Sequence, residues 1–183
     1  MRDRDDEEPL GPDLLVAPVL DPGATTRRVY LPPGHWIDWW RSVTFDGAPR
    51  LHTPVVLEGG REVEVPAPLD ELPLFVRASA VLPLLPADVE TLSSYGKGTA
   101  VRLADRRGRR TLLAWKRRVR VTQPRRRRLD IQLAIPRPCA LRVSGRRVPF
   151  RYRNGAVRAT VRMRGGVISA ARTGSRSARC RPR

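Results

Sequence analysis

Short apolar stretches separated by turn residues run through this chain of 183 residues, and none of them keeps a 3.6-residue period long enough for a helix. Residues 61–65 and 157–163 alternate between apolar and polar side chains. Such alternation is typical of an antiparallel sheet with one buried face. Residues 14–20 instead form a continuous apolar run, which predicts a strand buried on both faces. The pattern therefore favours an all-β fold.

Turn residues divide the predicted strands into two groups. The first group comprises residues 14–20, 27–31, 36–40, 42–45, 61–65, 74–76 and 80–85. After a loop over residues 92–99, the second comprises residues 100–103, 111–115, 117–122, 129–135, 140–143, 148–152, 156–163 and 167–170. Pro124 with the arginines at 125–128 predicts a break in the second group, and Gly165-Gly166 predicts another. Asn154-Gly155 predicts a two-residue hairpin turn, because both residues tolerate positive φ. The whole predicts an antiparallel β-sandwich followed by a second small β-domain.

Three apolar, proline-marked blocks stand out in the first group. Residues 14–19 read LLVAPV, residues 30–40 read YLPPGHWIDWW and residues 67–77 read APLDELPLFVR. Their order and spacing resemble the carboxy-terminal portion of glycoside hydrolase family 31, the α-glucosidase and α-xylosidase group, over about residues 5–86. The second half is a looser match to the distal β-domain of that family. Ser79 stands where the family usually has glycine, and if that glycine has positive φ, serine costs on the order of 1 kcal/mol.

The resemblance implies a division of the chain into four parts. Residues 1–22 would be a remnant of the last barrel strand with its lead-in, residues 23–90 the proximal β-sandwich domain and residues 91–171 the distal β-domain. An unpaired apolar strand is an aggregation site, so we expect residues 14–20 to pair irregularly or to dock on the sandwich. Residues 172–183 offer no apolar partners for a core, and we expect a disordered basic tail there.

In the family, catalysis depends on two aspartates on earlier strands of the barrel, and no position in this chain matches either motif. A retaining glycosidase needs two carboxyl groups roughly 5 Å apart across the scissile bond. The acidic run at residues 5–8 offers adjacent carboxylates without rigid support. We therefore assign no catalytic residue and expect the chain by itself to be inactive. It is predicted to be a carboxy-terminal fragment or accessory region of an α-glucoside or α-xyloside hydrolase, with the missing catalytic barrel as its partner.

Trp36, Trp39 and Trp40 are the candidate carbohydrate-binding residues. Aromatic faces suit the apolar faces of sugar rings, and three together could make the chain a freestanding carbohydrate-binding module. The alternative is that they anchor a hairpin on the sandwich, because aromatic side chains bury large areas. Their position in a structural block of the family favours packing. No His or Cys cluster has the spacing of a metal site, and we predict no cofactor.

The formal net charge of +18 is distributed unevenly along the chain. Residues 1–100 hold 9 Lys and Arg against 16 Asp and Glu, whereas residues 101–183 hold 27 against 2. Such a basic half could bind nucleic acid through phosphate contacts. The basic strip would comprise Arg117, Arg118, Arg120 and residues 125–128. Its neighbours Trp115, Phe150 and Tyr152 are few, whereas RNA-binding modules interleave aromatic and basic residues. The favoured interpretation is that arginines have accumulated without a binding function on the exposed faces of a β-domain whose core is intact. Nucleic acid is therefore the disfavoured partner.

Compartment and redox state follow from what the sequence lacks. No run approaches the roughly 20 apolar residues of a membrane helix, and residues 1–8 are charged, unlike a secretion signal. These features predict a cytoplasmic protein without membrane contact. Cys139 and Cys180 are too few for a disulfide framework, and Cys180 lies in the predicted tail, so we expect no structural disulfide.

Overall fold

The computed structural model describes residues 7–46, 48–84 and 110–172, and their regular secondary structure consists of β-strands. The strands are β1 (Glu8–Leu10), β2 (Leu14–Val16), β3 (Thr26–Leu31), β4 (His35–Asp38), β5 (Val43–Asp46), β6 (Ala48–Leu51), β7 (Val56–Glu58), β8 (Arg61–Pro66), β9 (Leu74–Arg77), β10 (Val81–Leu84), β11 (Arg110–Ala114), β12 (Arg118–Ala134), β13 (Pro138–Val143), β14 (Arg146–Val148), β15 (Arg151–Arg153) and β16 (Ala156–Arg172). They form a five-stranded sheet, a seven-stranded sheet and two two-stranded sheets. The predicted all-β class is confirmed. The predicted loop at 92–99, the strand at 100–103 and tail residues 173–183 lie outside the described residues.

The five-stranded sheet has the order β1-β2-β9-β4-β7, and each neighbouring pair is antiparallel. β9 lies at its centre. Phe75 of β9 is the register partner of Leu15 on one side and of Asp38 on the other. The strands of the three proline-marked blocks are therefore adjacent in space. Three segments that are far apart along the sequence thus form one piece of sheet.

Both faces of this sheet are buried. Alternate residues of β4 and β9 point to opposite sides of the sheet, and each side packs into a core cluster. Trp36 and Phe75 belong to a core cluster that also contains residues of the two-stranded β3–β8 sheet. Ile37 and Val76 belong to a second cluster, which includes Leu113 of the seven-stranded sheet. The five-stranded sheet is thus the middle layer of a stack, and the two halves of the chain share a core.

The strand predicted over residues 14–20 is shorter in the structure and covers Leu14–Val16. Ala17 makes one more contact, its backbone N donating to the Pro73 O at 3.0 Å, and Pro18 has no N–H with which to continue the ladder. The neighbours of β2, β1 and β9, are both antiparallel to it. Strands of a catalytic (β/α)₈ barrel run parallel to their neighbours. This segment therefore docks on the sandwich by regular pairing.

The seven-stranded sheet has the order β10-β11-β12-β16-β13-β14, with β15 also beside β16. Its middle consists of β12 and β16, each 17 residues long. The two predicted breaks in these strands are wrong. β12 runs through residues 125–128 with a register shift between Thr122 and Arg127, and Gly166 stands opposite Val121 with φ +138°. The proline and the glycines mark an irregularity within a strand, because a bulge accommodates such residues by bending it.

One pair departs from the antiparallel prediction, since β11 and β12 are parallel. A parallel pair needs a crossover of a dozen or more residues, and the chain between Ala114 and Leu129 supplies it, including the first half of β12. β10, which the sequence places in the proximal unit, pairs with β11. The chain therefore passes from the first sheet system to the second at the start of β10.

Two hairpin turns use positive φ angles. Asn154 (φ 52°) and Gly155 (φ 77°) join β15 to β16, as the Asn-Gly dipeptide predicts. Ser144 (φ 48°) and Gly145 (φ 83°) join β13 to β14 in the same way. Ser79 does not have positive φ, so the strain considered for serine at that position does not arise.

Several smaller predictions need correction. β1, β6 and β7 are absent from the predicted strands, because they are only three or four residues long and two of them contain proline. Arg172 is the last residue of β16 and not part of a tail. Cys139 is disulfide-bonded, contrary to expectation, and the other cysteine lies outside the described ranges. Within those ranges, no helix has the length and apolarity to cross a membrane.

Candidate functional site

Trp36, the first of the three candidate tryptophans, is enclosed by protein. It lies on β4 and is 2% exposed. Its indole Nε1 donates to the Pro32 carbonyl oxygen at 2.7 Å, and the guanidinium carbon of Arg77 lies 4.6 Å from the ring centre. Both the ring and its polar atom are therefore already occupied by intramolecular contacts.

Arg77 connects this tryptophan to the turns on either side of it. Its Nε donates to the Pro12 carbonyl oxygen at 3.1 Å and its Nη1 to the Pro33 oxygen at 3.3 Å. Its backbone N donates to the Asp13 oxygen at 2.8 Å. A guanidinium over an indole face adds a cation–π attraction. The last residue of β9 thus ties the turn before β2 to the turn before β4.

Trp39 and Trp40 meet around a residue that the sequence did not single out, Phe45. The ring centre of Phe45 lies 6.1 Å from that of Trp39 and 5.9 Å from that of Trp40, both in tilted arrangements. Trp39 is 8% exposed and belongs to the core shared by the two large sheets. Trp40 is half-buried, and its Nε1 donates to the Leu72 carbonyl oxygen at 2.6 Å. Of the three candidates, Trp40 retains the most surface for a partner.

Two exposed residues contact Trp40. Phe45, whose ring lies beside it, is 55% exposed, and Leu72, whose carbonyl oxygen it binds, is 50% exposed. We call these three residues, Trp40, Phe45 and Leu72, the apolar edge. The sequence signal for Phe45 was its place directly before Asp46-Gly47, where a strand tip carries an aromatic residue with no predicted cover.

An ion pair lies beside the apolar edge. Arg41 binds Glu71 with both guanidinium Nη atoms, one of them 3.1 Å from Oε1, and the side chains are partly buried. Asp38 is buried nearby, and its Oδ1 accepts a hydrogen bond from the backbone N of Arg41 at 3.2 Å. Burial raises the pKa of Asp38 above its ordinary value of 3.8, although the hydrogen bond and the charge of Arg41 oppose the rise.

The raised pKa of Asp38 predicts a pH dependence of stability that asparagine would remove. The folded chain binds the Asp38 proton more tightly than the unfolded chain. The free energy of unfolding therefore falls as pH rises from 3.8 through the folded pKa, and this contribution is constant above it. Urea unfolding measures the free energy of unfolding of the wild type and of Asp38→Asn across this range. As the pH rises, the wild-type value should fall relative to that of Asp38→Asn. Parallel curves would contradict the assignment.

Three acidic residues of the described first half contribute to the fold. Glu7 Oε1 accepts a hydrogen bond from the backbone N of Tyr30 at 2.7 Å, which ties the residue before β1 to β3. Asp13 and Asp21 lie in turns, and their backbone oxygens accept hydrogen bonds from Arg77 and Ala24. Asp5 and Asp6 lie outside the described residues.

Side chains of the seven-stranded sheet bind the backbone of β6. The amide of Gln132, which is buried, accepts from the Leu51 N at 3.0 Å and donates to the Pro49 oxygen at 2.8 Å. Arg158 Nη2 donates to the Leu51 oxygen at 2.7 Å. These bonds satisfy backbone groups as a neighbouring strand would. They fix the orientation of the second half relative to the first.

The arginines at residues 125–128 lie within β12 at its irregular point. The aromatic residues of the described second half do not stand beside them as a stacking surface. Trp115 is buried, and Phe150 and Tyr152 pack against the core of the seven-stranded sheet. The basic strip therefore lacks the rings on which single-stranded nucleic acid stacks.

Comparison with known sequences finds relatives of the first half. Residues 1–82 match the family model of the glycosyl hydrolase family 31 C-terminal domain, a range that includes β2. The alpha-xylosidase of Saccharolobus solfataricus is 39% identical over 94 residues, which are 51% of this chain and 11% of that protein. Neutral alpha-glucosidase C of Homo sapiens is 40% identical over 82 residues, 45% of this chain and 8% of that protein. The chain thus spans about a tenth of the length of these relatives.

Solved structures share the fold over both halves. A GH31 dextranase of Flavobacterium johnsoniae matches with a TM-score of 0.64 and 15% identity, covering 91% of this chain and 27% of that chain. The cycloalternan-forming enzyme of Listeria monocytogenes matches with a TM-score of 0.64 and 19% identity, covering 92% of this chain and 19% of that chain. At these identities the likeness concerns the fold alone, and it extends beyond the range of the family model.

Proposed function

We propose, on the premise that residues 1–82 belong to the glycosyl hydrolase family 31 C-terminal domain, that this chain is a non-catalytic accessory region of an α-glycoside hydrolase. Its role is to bind the catalytic barrel and hold it in shape. Its substrate would be that of the barrel, an α-glucoside or α-xyloside, as the names of its relatives suggest. Residues 23–90 and 91–171 would act as a proximal and a distal unit, with β10 bridging them.

The apolar edge is the observation that supports this role. Exposed apolar residues that lie together, rimmed by polar groups, mark protein interaction sites. Phe45 and Leu72 are about half exposed and both contact the half-buried Trp40, and the Arg41–Glu71 ion pair joins the residues next to Trp40 and Leu72 in the chain. Trp40 is fixed by its bond to Leu72, so a partner would meet a surface already in place.

A chimeric enzyme tests the proposal. The carboxy-terminal region of the Saccharolobus solfataricus alpha-xylosidase, from the start of its match to this chain onward, would be replaced by residues 1–183. We expect the chimera to hydrolyse p-nitrophenyl α-xyloside, and Phe45→Asp or Leu72→Asp to shorten the half-life of that activity on heating, because a charge would be buried at the contact. Leu20→Asp is the matched control, since Leu20 is 63% exposed and lies outside the apolar edge.

Two results would contradict the accessory role. Equal losses in Leu20→Asp and Phe45→Asp would mean that the apolar edge is not the contact. Hydrolysis of p-nitrophenyl α-glucoside or α-xyloside by the isolated chain, abolished by Asp6→Asn or Asp13→Asn, would make the chain itself an enzyme.

A second candidate function is carbohydrate binding, favoured by the adjacent Trp40 and Phe45 rings, 5.9 Å apart and both partly exposed. Trp39, proposed from the sequence for the same role, would support Trp40 through Phe45, which both rings contact. Trp36, proposed with them, belongs to the core cluster on the opposite face of the sheet and would not touch the sugar. Titration with isomaltotriose or maltotriose should quench tryptophan fluorescence in the wild type and not in Trp40→Ala. A flat titration of the wild type would remove this candidate.

A further inference from the structure

The outer face of the seven-stranded sheet carries a row of cross-strand neighbours in which arginines flank a serine. Arg118 of β12 is the register partner of Ser169 of β16, and Ser169 is in turn the partner of Arg142 of β13. Cross-strand partners project from the same face of a sheet. Because adjacent strands lie about 4.8 Å apart, the two arginines stand about 10 Å apart at their Cα atoms with the serine hydroxyl between them.

This row lines a cavity of about 660 Å³, which Arg117 and Gly145 also border. Two of its arginines are held in place by backbone oxygens. Arg142 Nη1 donates to the Gly145 oxygen at 2.9 Å, and Arg117 Nη2 donates to the Pro136 oxygen at 3.2 Å. These two side chains are therefore held at the cavity before any ligand arrives.

The charge around the cavity is not balanced by acidic residues in the part of the chain that the structure describes. Residues 110–172 contain 19 Lys and Arg and one acidic residue, Asp130. The carboxylate of Asp130 accepts a hydrogen bond from Thr160, and Asp130 does not line this cavity.

We propose that this cavity binds a compact oxyanion, a phosphate or sulfate group, either as the free ion or as an ester of a small molecule. Guanidinium groups donate paired hydrogen bonds to such oxygens with matching geometry. Arg118 and Arg142 would reach the anion from two sides, and the Ser169 hydroxyl would donate between them.

A nucleic acid strand fits these observations less well than a compact anion. The charged groups converge on a cavity and do not follow a groove, and the described aromatic rings of the second half are buried or packed against the core. Strand binding would need stacking surfaces along a basic track. The proposal is independent of the accessory role, and its failure would leave that role untouched.

Isothermal titration calorimetry of the full chain with inorganic phosphate and with sulfate, at constant ionic strength in chloride, tests the site. We expect one saturable site for each anion. Arg118→Gln should weaken phosphate binding about tenfold, since it removes a charge-assisted hydrogen bond, and Ser169→Ala should weaken it less. Arg128→Gln is the matched control. It removes the same charge from an exposed position of the same strand outside the cavity, and it should bind as the wild type does.

Competition with glucose 6-phosphate separates the two sources of the anion. Displacement of inorganic phosphate by the ester at the same site would support an esterified ligand, and exclusion of the ester would support the free ion. Three results would overturn the proposal. They are the absence of saturable binding, equal weakening by Arg118→Gln and Arg128→Gln, and tighter binding of a single-stranded oligonucleotide that both variants weaken equally.

Discussion

Replacement of Trp36 by alanine should lower the free energy of unfolding by about 3–5 kcal/mol, the usual cost of removing a large buried aromatic side chain. Trp36 is 2% exposed between the five-stranded sheet and the β3–β8 sheet, so its loss leaves a cavity. The variant also loses the bond to Pro32 and the ring under Arg77. Urea unfolding followed by circular dichroism measures the change without depending on tryptophan emission.

Trp40→Ala is the matched control for that prediction. Trp40 is half-buried and lies at the apolar edge, so its removal leaves a smaller void and should cost clearly less than Trp36→Ala. If the two variants lost the same stability, or if Trp36→Ala lost less than about 1 kcal/mol, Trp36 would not be a core residue. The pair also separates packing from glycan binding, because only the Trp40 variant should alter an isomaltotriose titration.

Gly155→Ala should destabilise the chain by about 2–5 kcal/mol through two additive effects. Gly155 has φ +77°, a conformation that strains any residue with a Cβ. An added Cβ would also collide with Thr53 Oγ1 and lie 2.8 Å from the Thr53 Cα, which belongs to the first half of the chain. The hairpin tip and the loop after β6 would have to separate.

Gly145→Ala provides the comparison for this variant, because Gly145 occupies the same place in the β13–β14 turn with φ +83° and has nothing within 4 Å of its would-be Cβ. Gly145→Ala should lower the free energy of unfolding only by the backbone strain, about 1–2 kcal/mol. The excess loss in Gly155→Ala then reports the contact between the two halves. Thermal unfolding midpoints that fall equally in both variants would mean that Thr53 moves away from the added Cβ without a loss of stability. Thr53→Ala in the Gly155→Ala background should restore part of the loss, since it removes the nearest atom.

The three proline-marked blocks were recognisable in the sequence because they meet in one place. The strands Leu14–Val16, His35–Asp38 and Leu74–Arg77 are neighbours in the five-stranded sheet, so each must fit the other two. Arg77 adds bonds to the turns that precede the other two strands. A sheet buried on both faces requires apolar residues at consecutive positions, and such runs are visible without a structure.

Other features were misread because local signals compete with pairing. Pro124, residues 125–128 and Gly165-Gly166 carry the composition of turns, yet they lie within β12 and β16. Each of these strands has a long partner that maintains the ladder on both sides of the irregularity, and a bulge absorbs the misfit. The short strands β6 and β7 gave no periodic signal at all. The position of β6 depends on Gln132, more than 80 residues away in the chain, and that of β7 on pairing with β4.

The candidate site shows the same division. The sequence pointed to Trp36, Trp39 and Trp40 as a group, but their burial differs because alternate positions of a strand face opposite cores and Trp40 lies in the turn beyond it. Phe45 joined the site only through its contacts with Trp39 and Trp40. Likewise, Arg118 and Arg142 lie on strands that are separated along the chain, and only the register with Ser169 sets them around one cavity.

By itself, the sequence determined the all-β class, most strand positions, the Asn-Gly hairpin and the resemblance of the first half to a known family. These depend on the alternation of side chains, on φ preferences and on local motifs, which are properties of short segments. Tertiary structure alone decided the parallel β11–β12 pair, the unbroken long strands, the core shared by the two halves and the surfaces left for partners. Those features depend on contacts between residues that are far apart in the sequence. The free energy of such contacts cannot be read from any short segment.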